Sequence, residues 1–238
     1  MAQTRRFMAV AHEVQQPAAY RERANQDKLS FGLLLKLFSF SKSIKPFYRI
    51  FCRCFNVGLT AVDFQAYWSD YRNGFGSLNG EFWWGLEKMH IATKPFQCNQ
   101  CRLRVELKDI DNETSYAEYS EFGVGPESTE YQCCVGGQYT GTAGDSMIST
   151  LAHHSANGVG FSTRDRDNDN SPHQHCADFS RREGGWWFND CSFAIPNGAW
   201  KTYPGCPKPP QYPCHAHWFT YKNSIRLIGT ELKFRCDI

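Results

Sequence analysis

The chain has 238 residues, 41% of them hydrophobic and 15% aromatic, so it is long and apolar enough to form a substantial core. Its formal net charge is +2 and its basic residues are interspersed with acidic ones, which argues against a nucleic-acid or membrane-surface protein. Eleven cysteines indicate an oxidising, extracellular compartment, and their odd number leaves at least one cysteine unpaired or joined to another chain.

Residues 1–61 differ in character from the remainder of the chain. They begin as a polar stretch of mixed charge, and the first apolar stretch, 31–40, comes late and is interrupted by Lys36. That stretch is too short to span a bilayer and does not resemble a signal peptide. The sequence therefore predicts an atypical leader, poorly ordered or the remnant of a first subdomain, over residues 1–61.

Aromatic residues at helical spacing predict two short helices, over residues 63–71 and 81–89. Asn73-Gly74 ends the first helical pattern, as expected of residues that tolerate a left-handed backbone. The apolar stripes predict buried core faces rather than a cofactor site. In the first helix the stripe consists of Phe64, Tyr67, Trp68 and Tyr71.

Alternating apolar residues then predict antiparallel strands over 103–107, 116–122 and 131–135, with a turn at 109–112 between the first two. The turn contains the sequon Asn112-Glu113-Thr114, which predicts N-glycosylation in a secreted protein.

Four cysteines around these strands suggest covalent cross-links. Cross-strand disulfides are the preferred interpretation of Cys98, Cys101, Cys133 and Cys134, with free or mispaired thiols and a four-thiolate zinc site as alternatives. The sequence does not determine how these four pair. The same holds for Cys52, Cys54, Cys206, Cys214 and Cys236.

Residues 165–169, DRDND, place three carboxylates at alternate positions. Carboxylates this close repel one another unless a cation lies between them, and calcium prefers such oxygen ligands. An EF-hand is a poor fit, because Asn170 and Cys176 occupy the positions of its glycine and its last glutamate. A solvated acidic loop is the alternative to a calcium loop of another kind.

No acid-base pair, nucleophile elbow or phosphate-binding loop is recognisable, so the sequence predicts a protein that is not an enzyme. Two H-x-H pairs could share a zinc ion, but histidines on exposed loops are more often solvated. These pairs are His173 with His175 and His215 with His217.

Six ordered blocks resemble the fibrinogen-related domain of fibrinogen chains, ficolins, tachylectins, angiopoietins and tenascins. They are DFQAYWSDYRNGFG, GEFWWGLEKMHIAT, LRVELKD, AEYSEFGVG, YTGTAGDS, and FSTRDRDND followed by a cysteine, GGWWFNDC and PNG. The resemblance implies an α+β fold over residues 62–238, with a central antiparallel sheet and short helices in 62–150 and an irregular, loop-rich calcium and ligand subdomain in 151–238. The N-terminal subdomain is incomplete, since the expected first cysteine and GGGWT segment are missing.

The resemblance also implies a set of site residues. Calcium would be bound by the side chains of Asp167 and Asp169 and by the main-chain carbonyls of Ser171 and His173. Cys176 and Cys191 would form a disulfide. Beside it, main-chain N–H groups around a cis bond between Asp190 and Cys191 would bind an acetyl oxygen, in a pocket formed by Phe179, Asp190, Cys191, Ser192 and Tyr212.

The predicted function is that of a secreted, calcium-dependent lectin of the innate-immune type, a glycoprotein that binds acetylated glycans. The first alternative is an extracellular protein-binding domain of the angiopoietin or tenascin type, which Ser192 favours because many lectin members have histidine there. The second is a truncated copy without independent function. Oligomerisation is not encoded by any visible coiled coil or collagen repeat.

Overall fold

The computed structural model describes residues 49–55, 62–93, 98–148, 152–178, 184–199 and 215–236. All of them belong to one compact unit, Pro46–Ile238. Most of the predicted leader lies outside the described residues, as do Phe179 and Tyr212. Within the described ranges, no helix has the length and apolar character needed to cross a membrane.

A seven-stranded antiparallel sheet forms the centre of the domain, and a two-stranded sheet lies in its second half. The order in the large sheet is β2-β3-β1-β9-β4-β5-β6, and β7 pairs with β8 in the small one. The strands are β1 (Arg49–Phe55), β2 (Phe75–Gly76), β3 (Phe82–Trp83), β4 (Cys101–Asp109), β5 (Thr114–Val124), β6 (Cys133–Gly141), β7 (Ala194–Ile195), β8 (His217–Trp218) and β9 (Leu227–Cys236).

The two helices are shorter than predicted and begin later. Helix α1 spans Trp68–Asn73, and its end is fixed by Gly74, whose φ is 95° and whose N–H donates to the carbonyl of Asp70 (2.7 Å). Helix α2 spans Leu86–Ala92. The prediction for the second helix started too early because residues 82 and 83 form β3, and Gly85, with φ 113°, then redirects the chain.

Strands β4 and β5 confirm the predicted hairpin. Along β4 every second residue is buried and the residues between are partly exposed, as period-2 alternation requires. The turn at 109–112 is held by the buried carboxylate of Asp109, which accepts the N–H groups of Asp111 (3.0 Å) and Glu113 (2.9 Å). The hairpin therefore ends in a turn fixed by its own side chain.

Strand β1 belongs to the stretch for which the sequence predicted an atypical leader or the remnant of a first subdomain. It lies between β3 and β9, with Cys52 opposite both Trp83 and Leu232. The sheet thus begins upstream of residue 62, within the stretch assigned to the leader. The sequence analysis assigned no strand here because the stretch, RIFCRCF, is short and contains two arginines.

The core is aromatic and joins both halves of the domain. The ring of Tyr71 lies 5.1 Å from those of Trp83 and Phe161, centroid to centroid. Its hydroxyl donates to the carbonyl of Phe64 (2.8 Å) and accepts the N–H of Gly185 (2.8 Å). A side chain at Gly185 would come within 2.7 Å of the Tyr71 and Phe161 rings, so the position requires glycine.

The predicted aromatic stripe is buried as expected, with one exception. Phe64, Trp68 and Tyr71 are core residues, but Tyr67 is 52% exposed. Tyr67 precedes the first residue of α1, so its direction is not set by helical periodicity. Its ring instead lies 5.1 Å from the guanidinium carbon of Arg164.

The disulfide interpretation is confirmed for three of the four strand cysteines. Cys98 is joined to Cys134 and Cys101 to Cys236, which leaves no set of four thiolates for zinc. Cys133 is the exception. It faces the opposite side of β6 from Cys134, is buried outside any disulfide, and burial raises the pKa of its thiol.

Candidate ligand- and ion-binding site

The acidic segment, residues 165–169, forms a loop that is hydrogen-bonded to core residues. Ser162 forms an antiparallel bridge with Trp186, with N···O distances of 2.9 and 3.1 Å. Asn168 fixes the loop by donating its side-chain amide to the carbonyl of Phe161 (2.7 Å) and its N–H to the Ser162 hydroxyl (2.9 Å). The positions of the aspartates are therefore set by main-chain hydrogen bonds to the core.

The first aspartate of the segment serves the helix rather than an ion. Its Oδ1 accepts the N–H of Trp68 (2.9 Å), at the start of α1, and the hydroxyl of Thr163 (2.7 Å). The next residue, Arg166, places its guanidinium 4.0 Å from the centre of the Trp68 ring. Asp165 and Arg166 thus attach the loop to α1, and two aspartates remain for an ion.

Asp167 and Asp169 lie side by side. The N–H of Asp169 donates to Oδ1 of Asp167 (3.3 Å), and the Asp169 carboxylate accepts the N–H groups of Ser171 (2.9 Å) and Cys176 (2.8 Å). Burial, with the neighbouring Asp167 carboxylate, raises the pKa of Asp169 to about 6. A cation beside the pair would relieve this repulsion.

The atoms around this pair fit a hard cation. Within the described residues, the carbonyls of Ser171 and His173 accept no hydrogen bond, and the buried Ser171 hydroxyl has no partner. Carboxylate, carbonyl and hydroxyl oxygens are the ligands that calcium prefers. No group of three or more His, Cys, Asp and Glu side chains that could hold a metal occurs in these residues, and the predicted set has only two carboxylates.

The acidic loop is connected to the predicted pocket through a disulfide. Cys176, whose N–H binds the Asp169 carboxylate, is joined to Cys191. The peptide bond between Asp190 and Cys191 is cis. The side-chain amide of Gln174 lies 3.0 Å from the Cys191 sulfur. The two predicted sites therefore share one covalent support.

Two consecutive main-chain donors stand beside this disulfide. The N–H groups of Cys191 and Ser192 have no acceptor within the described part of the chain, although their neighbours Asn189 and Asp190 donate to the carbonyls of Cys191 (2.7 Å) and His153 (2.8 Å). The Ser192 hydroxyl is engaged with the main chain of Ala194, at 2.9 and 3.1 Å. The segment thus offers main-chain donors rather than the Ser192 side chain.

An array of four rings adjoins this segment. His153 and His154 lie 4.2 Å apart, His154 and Phe193 4.1 Å, and Phe193 and Phe219 4.3 Å, centroid to centroid, with the two phenylalanines stacked. Burial and the adjacent His153 lower the pKa of His154. Sequence reasoning did not assign this array. The signal was available in the aromatic residues that follow Ser192 and Trp218.

Among the described residues, neither H-x-H pair belongs to a group of three or more potential metal ligands. His217 is buried, its Nδ1 lies 2.9 Å from the carbonyl of His215, and burial lowers its pKa to about 4. His215 is also buried, so this pair is not solvated as expected. His175 contacts the carbonyl of Thr163 (2.9 Å), and His173 is exposed.

Asn112 of the sequon lies exposed at the tip of the β4–β5 turn, with φ 64°. Its N–H donates to the carbonyl of Asp109 (3.0 Å). The side chain is therefore presented to solvent on a fixed turn, which is the setting that glycosylation requires.

Comparison with known proteins is consistent with this architecture. Residues 56–235 match the sequence profile described as "Fibrinogen beta and gamma chains, C-terminal globular domain". The chain is 42% identical over 147 residues to fibrinogen C domain-containing protein 1-A of Xenopus laevis, a match that covers 60% of this chain and 29% of that protein. Fibrinogen-like protein 1 of Bos taurus is 35% identical over 180 residues, or 70% of this chain and 55% of that protein. The chain thus spans only part of these relatives.

Solved structures of similar fold include the fibrinogen-like globe domain of human ANGPTL2, with a TM-score of 0.67, 30% identity, and coverage of 83% of this chain and 84% of that one. Lamprey fibrin D-dimer has a TM-score of 0.66 and 24% identity, covering 92% and 88% of the two chains, and supports the fold alone. The chain belongs to the fibrinogen C-terminal globular domain family, whose members are generally extracellular and use this domain for binding rather than catalysis.

Proposed function

We propose that this domain is a secreted, calcium-dependent recognition module that binds an acetylated carbohydrate at the N–H groups of Cys191 and Ser192. The observation that carries the proposal is the pair of adjacent main-chain donors beside a disulfide, for which the described residues supply no acceptor. An acetamido oxygen can accept from both donors, and its methyl group needs an apolar wall. The stacked rings of Phe193 and Phe219 supply apolar surface next to this segment.

Calcium would be held by Asp167, Asp169 and the carbonyls of Ser171 and His173. When bound, it would supply positive charge that neutralises the adjacent carboxylates. The Asp169 carboxylate also binds the N–H of Cys176. An ordered acidic loop would in this way hold the disulfide, and with it the donors of Cys191 and Ser192, in a fixed position.

The proposal is tested by passing oxidatively folded protein over N-acetylglucosamine resin in millimolar calcium, with glucose resin as the matched control. We expect retention on the acetylated resin alone, reversed by EDTA and by free N-acetylglucosamine. Asp167→Ala should flow through, whereas Asp111→Ala, which changes an exposed aspartate in the β4–β5 turn, should be retained. Flow-through of a protein that melts cooperatively would refute acetyl recognition.

Protein binding at the same surface is the second candidate. It is favoured by the engagement of the Ser192 hydroxyl with Ala194 and by the Phe219 ring, which is 36% exposed and stacked on Phe193. An exposed aromatic residue supported by a second ring is typical of protein interfaces. A protein that fails to bind the resin, but whose melting midpoint rises with calcium, would support this candidate. Absence of a cooperative transition would instead indicate a copy that does not fold independently.

A further inference from the structure

A groove of about 460 Å³ lies on the face of the sheet that points away from the aromatic core. It crosses β9, β4 and β5, whose partly exposed side chains form cross-strand rows. The first row is Gly229, Lys108 and Thr114, and the second is Glu231, Glu106 and Tyr116. All six residues line the groove.

The shape of the groove follows from these rows. Gly229 has no side chain and is itself buried, so the first row contributes the Lys108 and Thr114 side chains, and the second row contributes three larger ones. The second row is held in place by charge. Lys233 donates to Glu106 (2.7 Å) and lies 2.8 Å from Glu231, and the Arg104 guanidinium lies 3.9 Å from the centre of the Tyr116 ring. The walls are thus arranged before any ligand arrives.

The lining of the groove overlaps the sequon. Thr114 is both the third residue of Asn112-Glu113-Thr114 and part of the groove lining. Asn112 is exposed on the turn that Asp109 fixes. Two residues of chain span at most about 7 Å, so Asn112 lies within that distance of Thr114. A group attached to Asn112 therefore begins next to the groove lining.

The lining suits a sugar. Carboxylates, a lysine and four hydroxyl-bearing residues can exchange hydrogen bonds with sugar hydroxyls, and the Tyr116 ring offers an apolar surface. We propose that Asn112 carries an N-linked glycan whose first sugars lie in this groove. Attachment raises the effective concentration of the glycan at the groove, so weak contacts suffice to hold it there. This inference is independent of the proposed binding function.

The test uses the full chain, secreted from a eukaryotic host behind an added secretion signal. Site occupancy at Asn112 is first read by mass spectrometry of glycopeptides. The rate at which an endoglycosidase removes the glycan from the folded protein is then measured. The control is Asn112→Gln combined with Gln138→Asn, which completes a sequon with Thr140 on the exposed part of β6, away from the groove lining.

We expect the Asn112 glycan to be released about tenfold more slowly than the relocated one, which corresponds to about 1.4 kcal/mol of docking free energy. Tyr116→Ala should remove this protection. Lys108→Ala should weaken it and leaves the ion pairs of the second row in place. Lys108→Ala therefore tests the groove if Tyr116→Ala does not fold. An unmodified Asn112, or equal release rates from the two sites, would overturn the proposal.

Discussion

Asp165, Asp167 and Asp169 are alike in sequence but have different surroundings. Asp165 accepts an N–H from α1 and a hydroxyl from its own loop, whereas Asp169 is pressed against Asp167 and its pKa rises to about 6. The alternation of carboxylates in the sequence therefore overstates the number available to an ion. Two aspartates and neighbouring carbonyls would make a calcium site with fewer formal charges than three carboxylates.

His217 makes stability depend on pH. Burial lowers the folded-state pKa of His217 from 6.5 to about 4. Between these two pH values the histidine is protonated in the unfolded chain but neutral in the folded chain. The contribution of the neutral His217 side chain to the free energy of unfolding is fully present above pH 6.5 and is lost as the pH falls towards 4. The slope is about 1.4 kcal/mol per pH unit, and about 3 kcal/mol is lost in all. His217→Phe should flatten this part of the stability profile.

The measurement is urea unfolding between pH 4 and pH 8, on protein without calcium. His173→Gln, which changes an exposed histidine, should keep the slope of the parent chain. His154 and His215, whose pKa values burial also lowers, should leave some residual slope in His217→Phe. An unchanged slope in His217→Phe would show that this histidine titrates normally in the folded state.

At the scale of elements, α1 depends on a residue from the other half of the domain. Asp165→Ala removes the acceptors of the Trp68 N–H and the Thr163 hydroxyl, and should lower the free energy of unfolding by about 1–2 kcal/mol. Asp165→Asn keeps an oxygen acceptor at that place and should restore most of the loss. Chemical denaturation in EDTA measures both, so that calcium does not contribute. Equal stability of Asp165→Ala and the parent would contradict this role.

Asp167→Ala provides a contrast in the same loop. Without calcium it should be neutral or slightly stabilising, because it relieves the repulsion of Asp169. Adding calcium should raise the melting midpoint of the parent but not that of Asp167→Ala. The loop would then be divided between a helix-supporting aspartate and an ion-binding pair.

The sequence predicted elements that carry their own periodicity and missed those defined by partners. The β4–β5 hairpin was predicted correctly because alternation along both strands and the turn residues agree. Strand β1 is recognised only by its place between β3 and β9. The Cys176–Cys191 disulfide was predicted from the family resemblance and is confirmed. The pairing of the strand cysteines could not be predicted, since Cys133 and Cys134 are adjacent in sequence and differ only in the face of β6 on which they lie. In the site, the array of His153, His154, Phe193 and Phe219 depends on contacts between distant segments.

At the scale of the whole molecule, two of the disulfides differ in the length of chain that they close into a loop. Cys101–Cys236 joins β4 to β9 across 135 residues, whereas Cys176–Cys191 spans 15. In the chain-entropy treatment, the longer loop contributes about 5 kcal/mol and the shorter about 3 kcal/mol. Cys101→Ala/Cys236→Ala should therefore lower the free energy of unfolding more than Cys176→Ala/Cys191→Ala. Urea unfolding of the two double variants without calcium measures the difference.

Binding should follow the opposite order. Cys176→Ala/Cys191→Ala removes the support of the Cys191 and Ser192 donors and should abolish retention on the acetylated resin while the protein still folds. Cys101→Ala/Cys236→Ala should still bind the acetylated resin under conditions in which the protein is folded. Loss of binding in the second variant alone would contradict the assignment of the site to the segment around Cys191.

The strand order has a consequence for biosynthesis. Strand β9 lies between β1 and β4, so it joins β2-β3-β1 to β4-β5-β6. During translation the six other strands of the sheet all emerge from the ribosome before β9. Until β9 is synthesised, β1 and β4 each have an unpaired edge. Such edges invite pairing with other chains. We therefore expect the nascent domain to need protection until the last strand has been synthesised, and a premature stop before residue 227 should leave β2-β3-β1 and β4-β5-β6 without the strand that joins them.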